Sequence, residues 1–119
     1  HVPLHCTASG KLFLALMLSR RQRQAVIARL DMRAMTSATI TDTAVLKTEC
    51  EQIEQRGYSL DREEFVTGLV SVAVPVRDGL GKVRAAIAVH APVARMTLAE
   101  AENRRDMLSA AAAEMGELL

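Results

Sequence analysis

Aromatic residues are nearly missing from this chain: they make up 3% of its 119 residues, with no Trp, one Tyr and two Phe. A core without rings must be filled by aliphatic side chains and Met, and the 50% hydrophobic content is ample for that. Cysteine is also scarce. Cys6 and Cys50 lie far apart, with no CxxC pair to suggest a redox motif, so reduced thiols and a cytoplasmic setting are expected. An excess of one charge is lacking too: the formal net charge is +1, which provides no field for nucleic acid. No apolar run is long enough to cross a bilayer, so no membrane partner is expected. The opening His1-Val-Pro-Leu4 lacks the basic start and small-residue cleavage site of a signal peptide. The length fits one domain or part of one.

Helical patterns occupy both ends. Ser9 is the expected N-cap of a helix over about Gly10 to Leu18. The run Leu12, Phe13, Leu14, Leu16, Met17 and Leu18 leaves that helix no polar face, which predicts burial all round. Ser19 and Gln22 form a capping box for a second helix through about Leu30, with Arg20, Arg21, Arg23 and Arg29 on its outer face. That basic cluster reads as a solvated helix face rather than a phosphate contact, because no aromatic or Gly-rich partner accompanies it. Asp42 caps a third helix, with Leu46, Cys50 and Ile53 along one side and Gly57 at the stop. Cys50 thus reads as core. Thr97 with Glu100 opens a last helix that is expected to run to the chain end.

Between the helices lie strands. Tyr58 to Leu60 suggests a short one, and Asp61-Arg-Glu-Glu64 a turn. In the long strand Val66, Val70, Val72, Val74 and Val76 share one face, and Thr67, Leu69, Ser71 and Ala73 the other. After the Arg77-Asp-Gly-Leu-Gly-Lys82 hairpin, Val83, Ala85, Ile87 and Val89 alternate with Arg84, Ala86, Ala88 and His90. Each strand therefore has an aliphatic face and a face of small or polar groups. Such a face either receives a closely packed helix or leaves room for a small molecule.

Chemistry beyond binding has little support. His5 beside Cys6 does not make a thiol enzyme, since adjacent side chains rarely point at each other and no oxyanion loop follows. His5, Cys6, Asp61 and His90 show no HxxxH, HxH or CxxC spacing, so no metal site is expected. No catalytic residue and no cofactor is assigned.

The run Gly57, Asp61, Glu64, Ser71-Val72-Ala73 and Asp78 resembles the signature of the IclR family of bacterial transcription regulators. Upstream, His5-Cys-Thr-Ala-Ser-Gly-Lys11 is similar to that family's His-x-x-x-x-Gly-Lys opening of a buried helix, and Thr39-Ile-Thr-Asp42 to the lead-in of its next long helix. Arg77 stands where the family usually has an aromatic or His. The resemblance covers nearly the whole chain, in order. It implies an α/β (α+β) effector-binding domain similar to GAF or PAS sensors, with a mainly antiparallel sheet and flanking helices. It further implies that residues 1–119 form the C-terminal part of such a domain, and that a winged helix-turn-helix which reads DNA lies outside them. The expected partners are then a small organic acid effector, a second copy of the chain in a dimer or tetramer, and DNA only through the missing domain. A stand-alone small-molecule sensor is the alternative.

The resemblance also implies an effector site, which carries over to Ala8 and Ser9 before the buried helix, Asp61, Leu69 and Ser71 on the long strand, and Ala88 and His90 on the next. The period-2 split independently puts Leu69, Ser71, Ala88 and His90 on the non-bulky faces. Ala88 and His90 depart from the small hydroxyl residues of some members. A helix N-terminus, the Ser71 hydroxyl and a His90 donor suit a carboxylate, with Leu69 and Ala88 as apolar walls. Asp61 either meets a second polar group of the ligand or caps the following turn.

Overall fold

A computed structural model describes residues 3–119. His1 and Val2, part of the segment from which no signal peptide was expected, lie outside them. Helix α1 (Ala8–Leu12) runs on without a break as a π-helical turn, Phe13–Met17. Then come α2 (Arg20–Ile27), α3 (Thr43–Arg56), β1 (Ser59–Arg62), β2 (Leu69–Arg77), β3 (Val83–Pro92), α4 (Leu98–Asn103) and α5 (Arg105–Gly116).

The caps follow side-chain chemistry. The boxes of Ser19 with Gln22 and Thr97 with Glu100 are both formed, and Asp42 accepts from the amides of Ala44 and Val45. Gly57 ends α3 at φ 83°, a left-handed conformation that costs a side chain-bearing residue more. One cap expectation is corrected. Thr7, not Ser9, caps α1: its Oγ1 accepts from the Gly10 amide and donates to the Pro3 carbonyl. Ser9 already lies inside the first turn. The last helix also breaks, at Arg104, and α2 stops at Ile27, short of Leu30.

The strands form an antiparallel sheet in the order β1-β2-β3. Val66 and Thr67, read as strand, precede β2, and Val66 is exposed. Val70, Val72, Val74 and Val76 join Leu60 on one sheet face, where Met96, Ala101, Leu108 and Ala112 from α4, α5 and their lead-in cover them. On the other face lies α1, in contact with all three strands. Behind it α1, the π-helical turn, α2 and α3 share a second aliphatic cluster around Leu12, Leu14, Leu46, Cys50 and Ile53. Burying these aliphatic chains, at roughly 1.5–3 kcal/mol each, is the main stabilising term in a core without rings. The single Tyr sits outside both clusters' centres: the Arg105 guanidinium is 4.8 Å and that of Arg56 5.1 Å from the Tyr58 ring centre, and its hydroxyl donates to Glu102.

Candidate functional site

Antiparallel register places partners side by side on one face. Asp61 pairs with Ser71, and Ser71 with His90. These three residues therefore form a row across the whole sheet, on the face that α1 covers. The next row is Ser59, Ala73 and Ala88, and Leu69 pairs with Pro92 on the other side. Five of the site residues expected from sequence thus share one surface: Asp61, Leu69, Ser71, Ala88 and His90. Ala8 and Ser9 lie in the first turn of α1 above it, Ala8 fully buried and Ser9 half-buried. Burial grades across the row. Asp61 and Ser71 are enclosed, whereas His90 on β3 is exposed, so the row opens to solvent at the β3 side.

Ser71 is the notable member. Its side chain is wholly buried and its Oγ has no hydrogen-bond partner among the described residues. Leaving a buried hydroxyl unpaired costs about 1–3 kcal/mol. Asp61 does cap the following turn: its Oδ1 accepts the Glu64 amide at 2.8 Å. Burial pushes the Asp61 carboxyl up from its ordinary value of 3.8, against the opposing pull of that amide, and the neighbouring Glu64 pushes in the same direction as burial.

A buried ion cluster sits at the base of this wall. Lys11 on α1 is fully buried, and its Nζ donates to Glu49 Oε2 of α3 at 2.7 Å, Glu64 Oε2 at 2.9 Å and the Leu60 carbonyl of β1 at 2.6 Å. An ammonium group has three donors, and here all are used. Burial pushes the Glu49 carboxyl up, but Lys11, then Arg62 and Arg56, more than offset this, leaving it below its ordinary range. Glu64 also accepts the Arg62 amide, and Thr39 and Thr36 hydroxyls tie the 30–42 loop to the Glu64 and Glu63 carbonyls. Glu63 holds the turn at φ 57°. The His-x-x-x-x-Gly-Lys run has a matching physical account. His5 Nε2 lies 2.8 Å from the Arg33 carbonyl. A Cβ on Gly10 would meet Leu4 Cα and the Pro3 oxygen at 2.7 Å, so only glycine lets the lead-in cross so near.

Sequence reasoning missed Lys11, Glu49 and Ser59. The signal for Lys11 was present: a charge in a helix with no polar face must find buried partners. Its partners, at positions 49, 60 and 64, are too distant in the chain for local pattern to name. The basic cluster is corrected at one position. Arg23 is buried, donating to the Ala15 carbonyl and pairing with Glu54 at 2.6 Å, while Arg20, Arg21 and Arg29 are exposed. A groove of about 600 Å³ beside it also carries Glu51. Burial pushes the thiols of Cys6 and Cys50 up to about 11, unlike a nucleophile. Among the described residues no three His, Cys, Asp or Glu side chains converge as a metal site. No described helix is long and apolar enough to cross a membrane.

The layered arrangement recurs in solved structures. A double mutant of the inducer-binding domain of the transcription factor PobR from Acinetobacter, in complex with 3-hydroxybenzoic acid, superposes with a TM-score of 0.93 at 27% identity, over 99% of this chain and 69% of that one. Thermotoga maritima IclR gives 0.84 at 31% identity, over 98% of this chain and 48% of that one. The fold is therefore that of an effector-binding domain of the GAF/PAS-like class.

The model of the bacterial transcriptional regulator IclR C-terminal region matches residues 1–116, and the chain belongs to this family of regulators, which are not enzymes. Among curated relatives, the "Probable transcriptional regulator SauR" of Cupriavidus necator is 46% identical over 97 residues, covering 82% of this chain and 38% of that protein. The Pca regulon regulatory protein of Pseudomonas putida is 36% identical over 103 residues, covering 87% and 35%. The chain thus spans little more than a third of the length of these relatives.

Proposed function

We propose that this chain is the ligand-sensing part of a cytoplasmic transcription regulator, that it binds a small carboxylic acid between α1 and the Asp61–Ser71–His90 row, and that it self-associates. DNA contact belongs to a domain outside these residues. The observation that carries the proposal is the Ser71 hydroxyl, enclosed and unpartnered at the centre of a row that ends in a solvent-exposed His. A carboxylate supplies the missing partner for Ser71 and a charge for His90. The amides of Ala8 and Ser9 in the first turn of α1 add donors to the same space. Leu69 and Ala88 supply apolar contact. Asp61, with its raised carboxyl, is suited to sharing a proton with the ligand. The acid complex of the PobR domain, similar in fold, supports the ligand class.

An acid that binds one conformational state better than another shifts the population between them, and that shift is the signal. Isothermal calorimetry on the purified protein with benzoate, 4-hydroxybenzoate, butyrate and 3-hydroxybutyrate tests the reading. At least one acid binds, and Ser71→Ala and His90→Ala each weaken it by roughly ten- to a hundredfold, the loss of a charge-assisted hydrogen bond. Binding that ignores both substitutions, or no binding by any acid, refutes it. Sedimentation over a concentration range tests the assembly: a persistent monomer near 12.9 kDa counts against self-association.

A further inference from the structure

Ser59 is the second buried hydroxyl on the same face. It lies on β1, two positions before Asp61, opposite Ala73, which is itself opposite Ala88. Its side chain is wholly buried and its Oγ, like that of Ser71, has no partner among the described residues. A hydroxyl on a strand commonly settles on a neighbouring carbonyl or on solvent, and this one does neither. Its two row neighbours, Ala73 and Ala88, present only methyl groups.

We propose that Ser59 is a specificity-determining ligand contact, one that hydrogen-bonds a hydroxyl carried by the acid at a distance from its carboxylate. This rests on the reading above that an acid binds on this face at Ser71. Ser59 and Ser71 are diagonal neighbours on paired strands, which sets their Cα atoms about 7–8 Å apart. One small molecule bridges that span: a carboxylate at the Ser71 row, a short apolar body over Ala73 and Ala88, and a hydroxyl at Ser59. A site that hydrogen-bonds a ligand hydroxyl discriminates strongly against the analogue lacking it, because the analogue leaves a buried polar group unpaired. Ser59 thereby turns a general carboxylate site into one for hydroxylated acids.

The test uses matched pairs: 4-hydroxybenzoate against benzoate, and 3-hydroxybutyrate against butyrate. Each is titrated calorimetrically into wild-type protein, Ser59→Ala, Ser59→Cys and Ser71→Ala, with thermal melts to establish that each variant is folded. Ser59→Ala is expected to weaken the hydroxylated member of the binding pair about five- to tenfold and leave its partner unchanged. Ser59→Cys, of similar size but a weaker donor, is expected to lose less and keeps the test usable where the alanine variant is too unstable. Ser71→Ala is expected to weaken both members alike. If the acids bind and Ser71→Ala weakens them, but the Ser59 variants change both members equally or neither, the Ser59 inference falls alone. If Ser71→Ala leaves binding untouched, or no acid binds, the acid site itself is refuted and the Ser59 contact with it.

Discussion

Lys11→Met offers the sharpest test of how this domain is held together. Methionine keeps the length and apolar bulk of the stem but removes a fully buried ammonium that bonds Glu49, Glu64 and the Leu60 carbonyl. Breaking a buried pair from one side costs about 3–5 kcal/mol, because the abandoned charge stays buried. Glu49 retains Arg62 at 3.2 Å and Arg56 at 3.8 Å, so the lower end, about 3 kcal/mol, is expected. With an urea dependence of about 1–3 kcal/mol per molar, the unfolding midpoint should fall by roughly 1–3 M. The pH dependence adds a second arm. In the native chain the depressed Glu49 carboxyl contributes stability that is present above its ordinary value of 4.5 and lost as pH falls through its lower folded value. Without Lys11 only Arg62 and Arg56 oppose burial at that carboxyl, and this contribution shrinks. The gap between wild type and variant is therefore widest at neutral pH and narrows in acid, as pH falls through the lowered folded value of Glu49. Adding Glu64→Gln to Lys11→Met should recover part of the loss, with a coupling of about 0.5–3 kcal/mol. A loss below about 1 kcal/mol, the range of an exposed pair, refutes the reasoning.

Four further outcomes are expected. Acid binding should take up a proton through Asp61, whose carboxyl burial already raises above 3.8 and which an adjacent anion raises further; affinity then falls as pH rises, read from calorimetry in buffers of different ionisation enthalpy, and pH-independent binding rules this out. Gly10→Ala should cost about 1–3 kcal/mol in urea unfolding, since its Cβ meets backbone of Leu4 and Pro3 at 2.7 Å, and a neutral effect would show that the lead-in shifts freely. Native Cys6 and Cys50 should resist a thiol reagent at pH 8 until urea unfolds the chain, because both are wholly buried with thiols near 11; rapid native labelling contradicts this. Residues 1–119 alone should give no sequence-specific shift of duplex DNA near physiological salt, and such a shift would revive Arg20 and Arg21 as a contact surface.

Local chemistry alone determined much of this molecule. The capping boxes at Ser19 and Thr97, the Asp42 cap and the Gly57 stop are each written within a few neighbouring residues, so they are legible before any fold is known. Strand alternation likewise sorted Leu69, Ser71, Ala88 and His90 onto non-bulky faces, and register then joined Asp61, Ser71 and His90 in one row. Where local rules competed, the tertiary structure decided. Ser9 was the cap expected from sequence; Thr7 caps instead, its hydroxyl bonded to the Pro3 carbonyl that the side chain-free Gly10 lets come close. Arg23 lay in a solvated-looking basic run, and only packing against Ala15 and Glu54 buried it. Lys11 shows the boundary most clearly. Its partners come from α3, β1 and the turn after it, up to 53 positions away, and no periodicity carries information over that distance. A buried charge is stable only where several remote groups converge on it, and convergence is a property of the folded chain.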